Sequence, residues 1–354
     1  MRRELLQVHP RLLAWLRSDA GWPALPLTLR ARLAWQAAWG GWNSRLGQQA
    51  LASESPALRD PVFVLGPWRS GSTAMHELLV AATGLPTPLT WQCMNATAFL
   101  LGRPPRNEAL SARPMDGLPV GALSPQEDEF ALLSLGGDSL YRAFWQPQRA
   151  SELLPLLQAE HWQAHAADWL PLWETFLHGV LHTLKRVDEP LLLKSPNHSL
   201  RWVALRQRFP QARAVWMLRE AEAVYRSNLK MWRQMATLHG LHAAPAGALE
   251  ALLAAALQAL ALALLEAMVA PQPPVLVWQS RLRESPRETL QEVCAQLALP
   301  ADTEGPAFQA ALATVAQGRA DRYEPTPLSA EAAAAVAALD SAQAEAWAVF
   351  SARR

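Results

Sequence analysis

The residues best suited to chemistry begin at GPWRSGST (66–73). An apolar run, Val62 to Leu65, leads into this stretch, and an amphipathic pattern starts near Ser72. A strand, a glycine-bearing turn and a helix start together make an anion cradle. N–H groups point into the turn, and the helix dipole adds partial positive charge. Arg69 contributes a full charge inside the loop, and Ser70, Ser72 and Thr73 contribute hydroxyls. Two more cations follow apolar runs of strand character: Lys194 after Leu191 to Leu193, and Arg219 after Ala214 to Leu218. Ligands of an open parallel sheet sit at the carboxyl ends of its strands. Three cations on one rim therefore predict a ligand with several negative charges.

The loop is close to a Walker A loop, but Ser72 stands where the usual lysine would be. None of the expected strands ends in Asp or Glu, the usual seat of Mg²⁺ in a nucleoside triphosphatase. The ligand is thus expected to be an anion handled without a metal. That disfavours phosphoryl transfer and allows transfer of the less charged sulfuryl group.

The elements that must hold these residues read as α/β. A helix from Ser72 ends at Gly84, and Leu89 to Trp91 is a second, short strand. Residues 95–150 are punctuated by proline and glycine and read as a long irregular excursion, a length that usually serves function. Residues 152–186 return to helix, with Trp162, Trp169, Trp173 and Phe176 along an apolar stripe. A helix over about 200–209 joins two strands into a βαβ unit and hence a parallel sheet. Helices over 222–238 and 251–265, a strand at Val275 to Trp278, a helix over 286–297 and a helical tail from Ser329 complete the chain. The fold class is α/β, a central parallel sheet flanked by helices on both faces. The 354 residues form one domain, with a helical N-terminal region (1–55) and an insertion (95–186) expected to shape the acceptor site. Within the first region Trp35, Trp39 and Trp42 recur on one helical face, expected to pack on the main domain. A lid over a greasy acceptor, or a membrane-surface contact, is the alternative.

Composition bounds the partners. Hydrophobic residues make up 51%, enough for a sizeable core, and the net charge of +1 argues against a nucleic-acid surface. Two cysteines suit a reducing compartment. The start MRRELLQVHP lacks the apolar core of a signal peptide, so a cytoplasmic location is expected. The Ala/Leu run 251–265 is short for a membrane span and reads as a buried helix. His161, His165 and Asp168 share a face at ligand spacing, but without a zinc signature no metal is expected.

GPWRSGST resembles the 5′-phosphosulfate loop of sulfotransferases that use 3′-phosphoadenosine 5′-phosphosulfate (PAPS). MLREAEAVYRSNLKMW (217–232) is similar to their 3′-phosphate segment, where an arginine ends a strand and a serine follows eight residues later; Arg219 and Ser227 have that spacing. The segments 191–219, 113–133 and 285–300 also look like parts of the bacterial-type family, so the resemblance spans about 61–300. Two features depart from it: Glu220-Ala221 replaces an acid-proline pair, and Trp278-Gln279-Ser280 replaces an acidic tyrosine motif.

The resemblance implies a PAPS-dependent sulfotransferase that releases adenosine 3′,5′-bisphosphate. Its acceptor would be a hydroxyl, or less often an amine, of a small molecule, lipid or carbohydrate. Arg69 with Ser70, Gly71, Ser72 and Thr73 would hold the 5′ side, and Arg219 with Ser227 the 3′-phosphate. Lys194 would donate to the bridging oxygen. A general base is also required. Glu127, heading the acidic cluster in PQEDE (125–129), is the first choice; His198, four residues after Lys194, is a rival, and His76 a third candidate. Two other readings compete: a P-loop small-molecule kinase using ATP and magnesium, and a nucleotide-binding protein without catalysis.

Overall fold

The structure, a computed structural model, describes residues 8–51, 57–105, 110–113, 117–318 and 326–353. Residues 1–7, 52–56, 106–109 and 114–116, which belong to the expected N-terminal region, insertion and 113–133 segment, lie outside the described residues. Four parallel strands form the central sheet: β1 (Val62–Leu65), β2 (Leu192–Lys194), β3 (Arg213–Leu218) and β4 (Val275–Trp278). Their order is β2-β1-β3-β4. The strands are nearly continuous apolar runs because helices cover a parallel sheet and leave no wet face. Val64 pairs with Lys194 and Leu65 with Trp216, so β1 and β2 end within one residue of each other and β3 runs two residues further, to Leu218. With β1 in the middle, the loop after it lies between the ends that carry Lys194 and Arg219. This is the expected α/β architecture, with strand limits within one residue of those read in the sequence.

Ten helices carry the argument. They are α1 (Leu27–Leu51), α2 (Ser72–Thr83), α3 (Glu129–Ser134), α4 (Ala166–Leu184), α5 (Pro196–Leu200), α6 (Trp202–Arg208), α7 (Ala221–His239), α8 (Ala248–Val269), α9 (Pro286–Gln296) and α10 (Ala330–Ala352). Gly84 ends α2 at φ 66°, a left-handed cap that suits glycine. Ser329 opens α10 by accepting from the Ala332 N–H at 3.2 Å. The Ala/Leu helix α8 is long and apolar enough to cross a membrane by length and composition. It packs on α10, and Leu253, Leu257, Leu260 and Leu264 of α8 and Ala335 and Ala342 of α10 are buried.

Three expectations change. Leu89 to Trp91 is not a strand: Leu89 makes one bridge, to Pro125, and a helix begins at Thr90. The Gln92 side chain accepts from the Leu89 N–H at 2.7 Å and closes that helical turn. The 152–186 helix is broken. A 3₁₀ segment, Pro147–Leu157, and a short helix, Ala159–Ala164, precede α4, and the backbone leaves helical geometry between them at Gln158 (ψ 132°) and at His165 (ψ 19°). Finally, Trp35, Trp39 and Trp42 do not pack on the main domain; they are 66%, 56% and 59% exposed. The packed face of α1 is Leu33, Ala37, Gly40, Asn43 and Gly47. A Cβ on Gly40 would stand 2.7 Å from the Val8 carbonyl oxygen, so this face is chosen by close backbone approach, which tryptophan forbids.

Candidate active site

The loop after β1 is held in an uncommon conformation. Gly66 has φ 118°, and a Cβ there would meet the Met217 carbonyl oxygen of β3 at 2.5 Å, so only glycine fits. Arg69 and Gly71 also have positive φ, 66° and 90°. A left-handed arginine costs about 1–2 kcal/mol and persists only where its surroundings enforce it. Here they do so from three sides. Gly66 N–H donates to Ser199 Oγ at 2.8 Å, Asn228 Nδ2 donates to the Trp68 carbonyl at 2.8 Å, and Arg219 Nη1 donates to the Arg69 carbonyl at 2.6 Å. Helical bonding in α2 starts with Met75 N–H to the Gly71 carbonyl at 3.1 Å, so the N–H groups of Gly71, Ser72 and Thr73 stand outside the ladder. Ser70 differs from its neighbours. Its N–H and hydroxyl both donate to the Pro67 carbonyl, at 3.3 and 2.7 Å, so it closes the turn.

The two segments read as phosphate-binding meet through side chains. Arg69 Nε donates to Ser227 Oγ at 2.9 Å, and Ser227 lies on α7, one residue before Asn228. Glu222 pairs with Arg226 at 2.8 Å, so it does not draw Arg219 away from the loop. The C-terminal helix supports this corner. Gln343 Oε1 accepts from the Arg219 N–H at 3.1 Å, and Asp340 Oδ1 from the Ala221 N–H at 3.0 Å, at the positive end of α7. Neither support was read from the sequence, where the alanine-rich tail carried no motif.

Glu127 reaches the rim through a relay of backbone pairings. Leu192 N–H of β2 donates to the Pro86 carbonyl at 2.8 Å, and Gln126 N–H to the Pro88 carbonyl at 2.9 Å. The excursion thus lies along the 86–91 segment, which itself lies along β2. Glu127 Oε1 accepts from Lys194 Nζ at 2.5 Å, and Lys194 Nζ also donates to Thr73 Oγ1 at 3.2 Å. Glu127 Oε2 accepts from the Tyr141 hydroxyl at 2.5 Å, which in turn accepts from Trp68 Nε1 at 3.0 Å. Burial, and then the Glu127 carboxylate, push the Tyr141 phenol well above its ordinary pKa, so it remains a donor. Tyr141 ties the base candidate to the loop, and no spacing in the sequence announced it.

The two acids after Glu127 face inward. Asp128, fully buried, accepts from Trp173 Nε1 at 2.5 Å and pairs with His198 Nε2 at 2.8 Å. Burial alone would raise the Asp128 carboxyl, but the charge and hydrogen bonds of His198 and Trp173 bring it below its ordinary value. His198 is itself fully buried and edge-on to Phe63. The residue four after Lys194 is therefore a core partner of Asp128, away from solvent. Glu129 pairs with Arg201 at 2.9 Å, both fully buried, and the guanidinium lies 4.1 Å from the Trp162 ring. Burial raises the Glu129 carboxyl, with Arg201 opposing. These inward pairs fix the cluster and leave Glu127 at the rim. Arg201→Ala is expected to destabilise the chain by about 3–5 kcal/mol in urea denaturation, because it strands a buried carboxylate; Arg201→Met with Glu129→Leu should recover most of this.

His76, on α2, is 1% exposed and shares a 2.8 Å hydrogen bond with Thr87 Oγ1. Burial, with the Lys194 ammonium second, lowers its pKa from 6.5 to about 3. The folded state therefore binds fewer protons than the unfolded chain between those values. His76 contributes nothing adverse above pH 6.5, and stability falls as pH drops from there toward 3. The slope is about 1.4 kcal/mol per pH unit. Urea midpoints measured across this range should fall less steeply in His76→Gln, while His9, lowered to about 4, keeps its share in both proteins.

His161 and His165 stack with ring centroids 4.3 Å apart, and His161 Nε2 lies 3.6 Å from Asp138. Asp168 instead lines a cleft with Arg11 and Gln48, so the three do not assemble. Among the described residues no group of three or more His, Cys, Asp or Glu is placed to hold a metal.

Known proteins resemble this chain in sequence and in fold. The sulfotransferase family model matches residues 61–303. Omega-hydroxy-beta-dihydromenaquinone-9 sulfotransferase Stf3 from Mycobacterium bovis, and its namesake from Mycobacterium tuberculosis, are each 32% identical over 186 residues. That is 51% of this chain and 47% of each relative, so the chain spans about half the length of the curated relatives it matches. Among solved structures, sulfotransferase STF9 from Mycobacterium avium superposes with a TM-score of 0.58 at 18% identity, over 91% of this chain and 86% of that one. Sulfotransferase STF1 from Mycobacterium tuberculosis gives 0.54 at 19%, over 86% and 84%. At such identities these two likenesses show the fold. The family-model match covers more than half the residues and includes the loop, both strand-end cations and Ser227: this chain belongs to the sulfotransferase family.

Proposed function

We propose that the chain is an enzyme that transfers a sulfuryl group from PAPS to a hydroxyl, with a lipid or small molecule as acceptor. The convergence of Arg69, Arg219, Ser227, Lys194 and Glu127 on one rim carries this reading. The donor set fits such a nucleotide: two guanidiniums, an ammonium, hydroxyls and a helix start can neutralise two separated phosphates. When bound, PAPS supplies an activated sulfuryl group and a phosphate leaving group. Arg69 and the N–H groups of Gly71 to Thr73 stabilise negative charge at the loop, and Arg219 with Ser227 holds the second phosphate. Lys194 has three donors and spends two, on Glu127 and Thr73, which leaves one for the ligand. Glu127, held by Lys194 and Tyr141, accepts the proton of the acceptor hydroxyl. His198, buried and paired with Asp128, stands back from the rim, which supports Glu127 for that task. The name of the Stf3 relatives, a hydroxylated menaquinone derivative, favours a hydroxyl-bearing lipid for this chain as well.

The test is a thermal-shift titration without metal. Adenosine 3′,5′-bisphosphate at a hundredfold excess over its Kd is expected to raise Tm by on the order of 5 °C. Radiolabelled PAPS should then label a hydroxyl acceptor drawn from a lipid panel. Stabilisation by ADP with magnesium alone would point to a kinase instead.

A further inference from the structure

We propose that α1 is a docking surface for an anionic lipid bilayer, which it meets through Trp35, Trp39, Trp42 and Leu46. The helix is apolar on two faces. One face packs into the protein through Leu33, Ala37 and Gly40, and on to Phe99–Leu101 of the insertion. The other presents Trp35, Trp39, Trp42 and Leu46 at i, i+4, i+7 and i+11, with 66%, 56%, 59% and 37% exposure. The rings of Trp35 and Trp39 lie parallel, 6.2 Å apart, as one flat apolar step. Single exposed apolar side chains are ordinary, but an ordered stripe of three tryptophans is an unburied surface of the kind that binds a partner.

Charge selects the partner. From Ala20 to Ser53 the sequence contains Arg30, Arg32 and Arg45 and no acidic residue, a local +3 in a chain whose total is +1. Arg32 and Arg45 are exposed on the same helix. A second copy using this face would bring Arg32 and Arg45 toward the same two arginines across a twofold axis, with no acidic residue on the helix to pair them, which opposes self-association. Anionic headgroups match the arginines, and the bilayer interface is where the amphipathic indole ring is most at home. Because its inner face is occupied by protein, α1 would lie along the bilayer surface without crossing it. This docking is independent of the donor chemistry, and it would bring the insertion up to the lipid.

The full chain is to be sedimented with vesicles of phosphatidylcholine alone and of phosphatidylcholine with phosphatidylglycerol. Partitioning is expected to be about tenfold or more stronger on the anionic vesicles. Trp35→Ala with Trp39→Ala and Trp42→Ala should lower it on the order of 100-fold, with Tm unchanged because these side chains are exposed. Arg32→Glu with Arg45→Glu should remove the preference for anionic lipid. Brominated lipid should quench tryptophan fluorescence in the wild type and not in the triple tryptophan variant. The proposal falls if the wild type ignores anionic vesicles, binds neutral ones equally well, or binds undiminished after the triple substitution. It also falls if sedimentation velocity shows a dimer abolished by that substitution and no vesicle binding.

Discussion

Glu127→Gln is expected to lower kcat for sulfuryl transfer by about 10²–10⁴-fold, the usual worth of a positioned general base. The substitution keeps the shape and one acceptor oxygen for Lys194, while its NH2 can donate to the Tyr141 hydroxyl, and the proton acceptor is lost. Affinity for adenosine 3′,5′-bisphosphate should hold within a few fold, because in the proposed arrangement Glu127 serves the acceptor hydroxyl and not the phosphates. His198→Gln provides the contrast. It removes the partner of a buried carboxylate, so it should lower Tm and act on activity only as far as it unfolds the protein. The readout is transfer of radiolabel from PAPS to whichever acceptor the wild type uses, with Tm measured alongside. A Glu127→Gln enzyme with wild-type kcat, beside a folded His198→Gln enzyme without activity, would reverse the assignment.

Arg219→Ala is expected to weaken adenosine 3′,5′-bisphosphate binding by about 2–5 kcal/mol, roughly 30- to 5,000-fold. Two losses combine. The guanidinium proposed to hold the 3′-phosphate is gone, and the Arg69 carbonyl loses its 2.6 Å donor, which relaxes a left-handed residue. Arg219→Lys should rescue only part of the affinity, since an ammonium lacks the planar fork. Ser227→Ala, which removes one neutral donor, should cost far less, about 0.5–1.5 kcal/mol. Isothermal titration without metal measures all three. Equal affinities for wild type and Arg219→Ala would remove the 3′-phosphate seat from this corner.

Much of this was legible in residue order alone. The strand Val62 to Leu65, its glycine-bearing turn and the start of α2 are local: an apolar run, a turn residue and a helix period lie within twenty positions of one another. Lys194 and Arg219 were legible for the same reason, since each ends an apolar run. PQEDE was legible as a cluster but not as a structure. Three adjacent acids have equal claims until packing assigns Glu127 to Lys194, Asp128 to His198 and Glu129 to Arg201, partners some seventy residues away. Tyr141, Asp340 and Gln343 were invisible, because one aromatic ring or one polar side chain in an ordinary helix carries no pattern.

Residue order by itself determined the class of sheet, the loop that follows its central strand, and the three cations on its rim, because these follow from hydrophobic period and turn residues over short spans. Tertiary structure alone decided which carboxylate reaches the lysine, that His198 is sealed in the core, and that the tryptophans of α1 face outward. Those outcomes depend on how closely backbones approach and which buried charges find a partner. Both are set by contacts between distant parts of the chain.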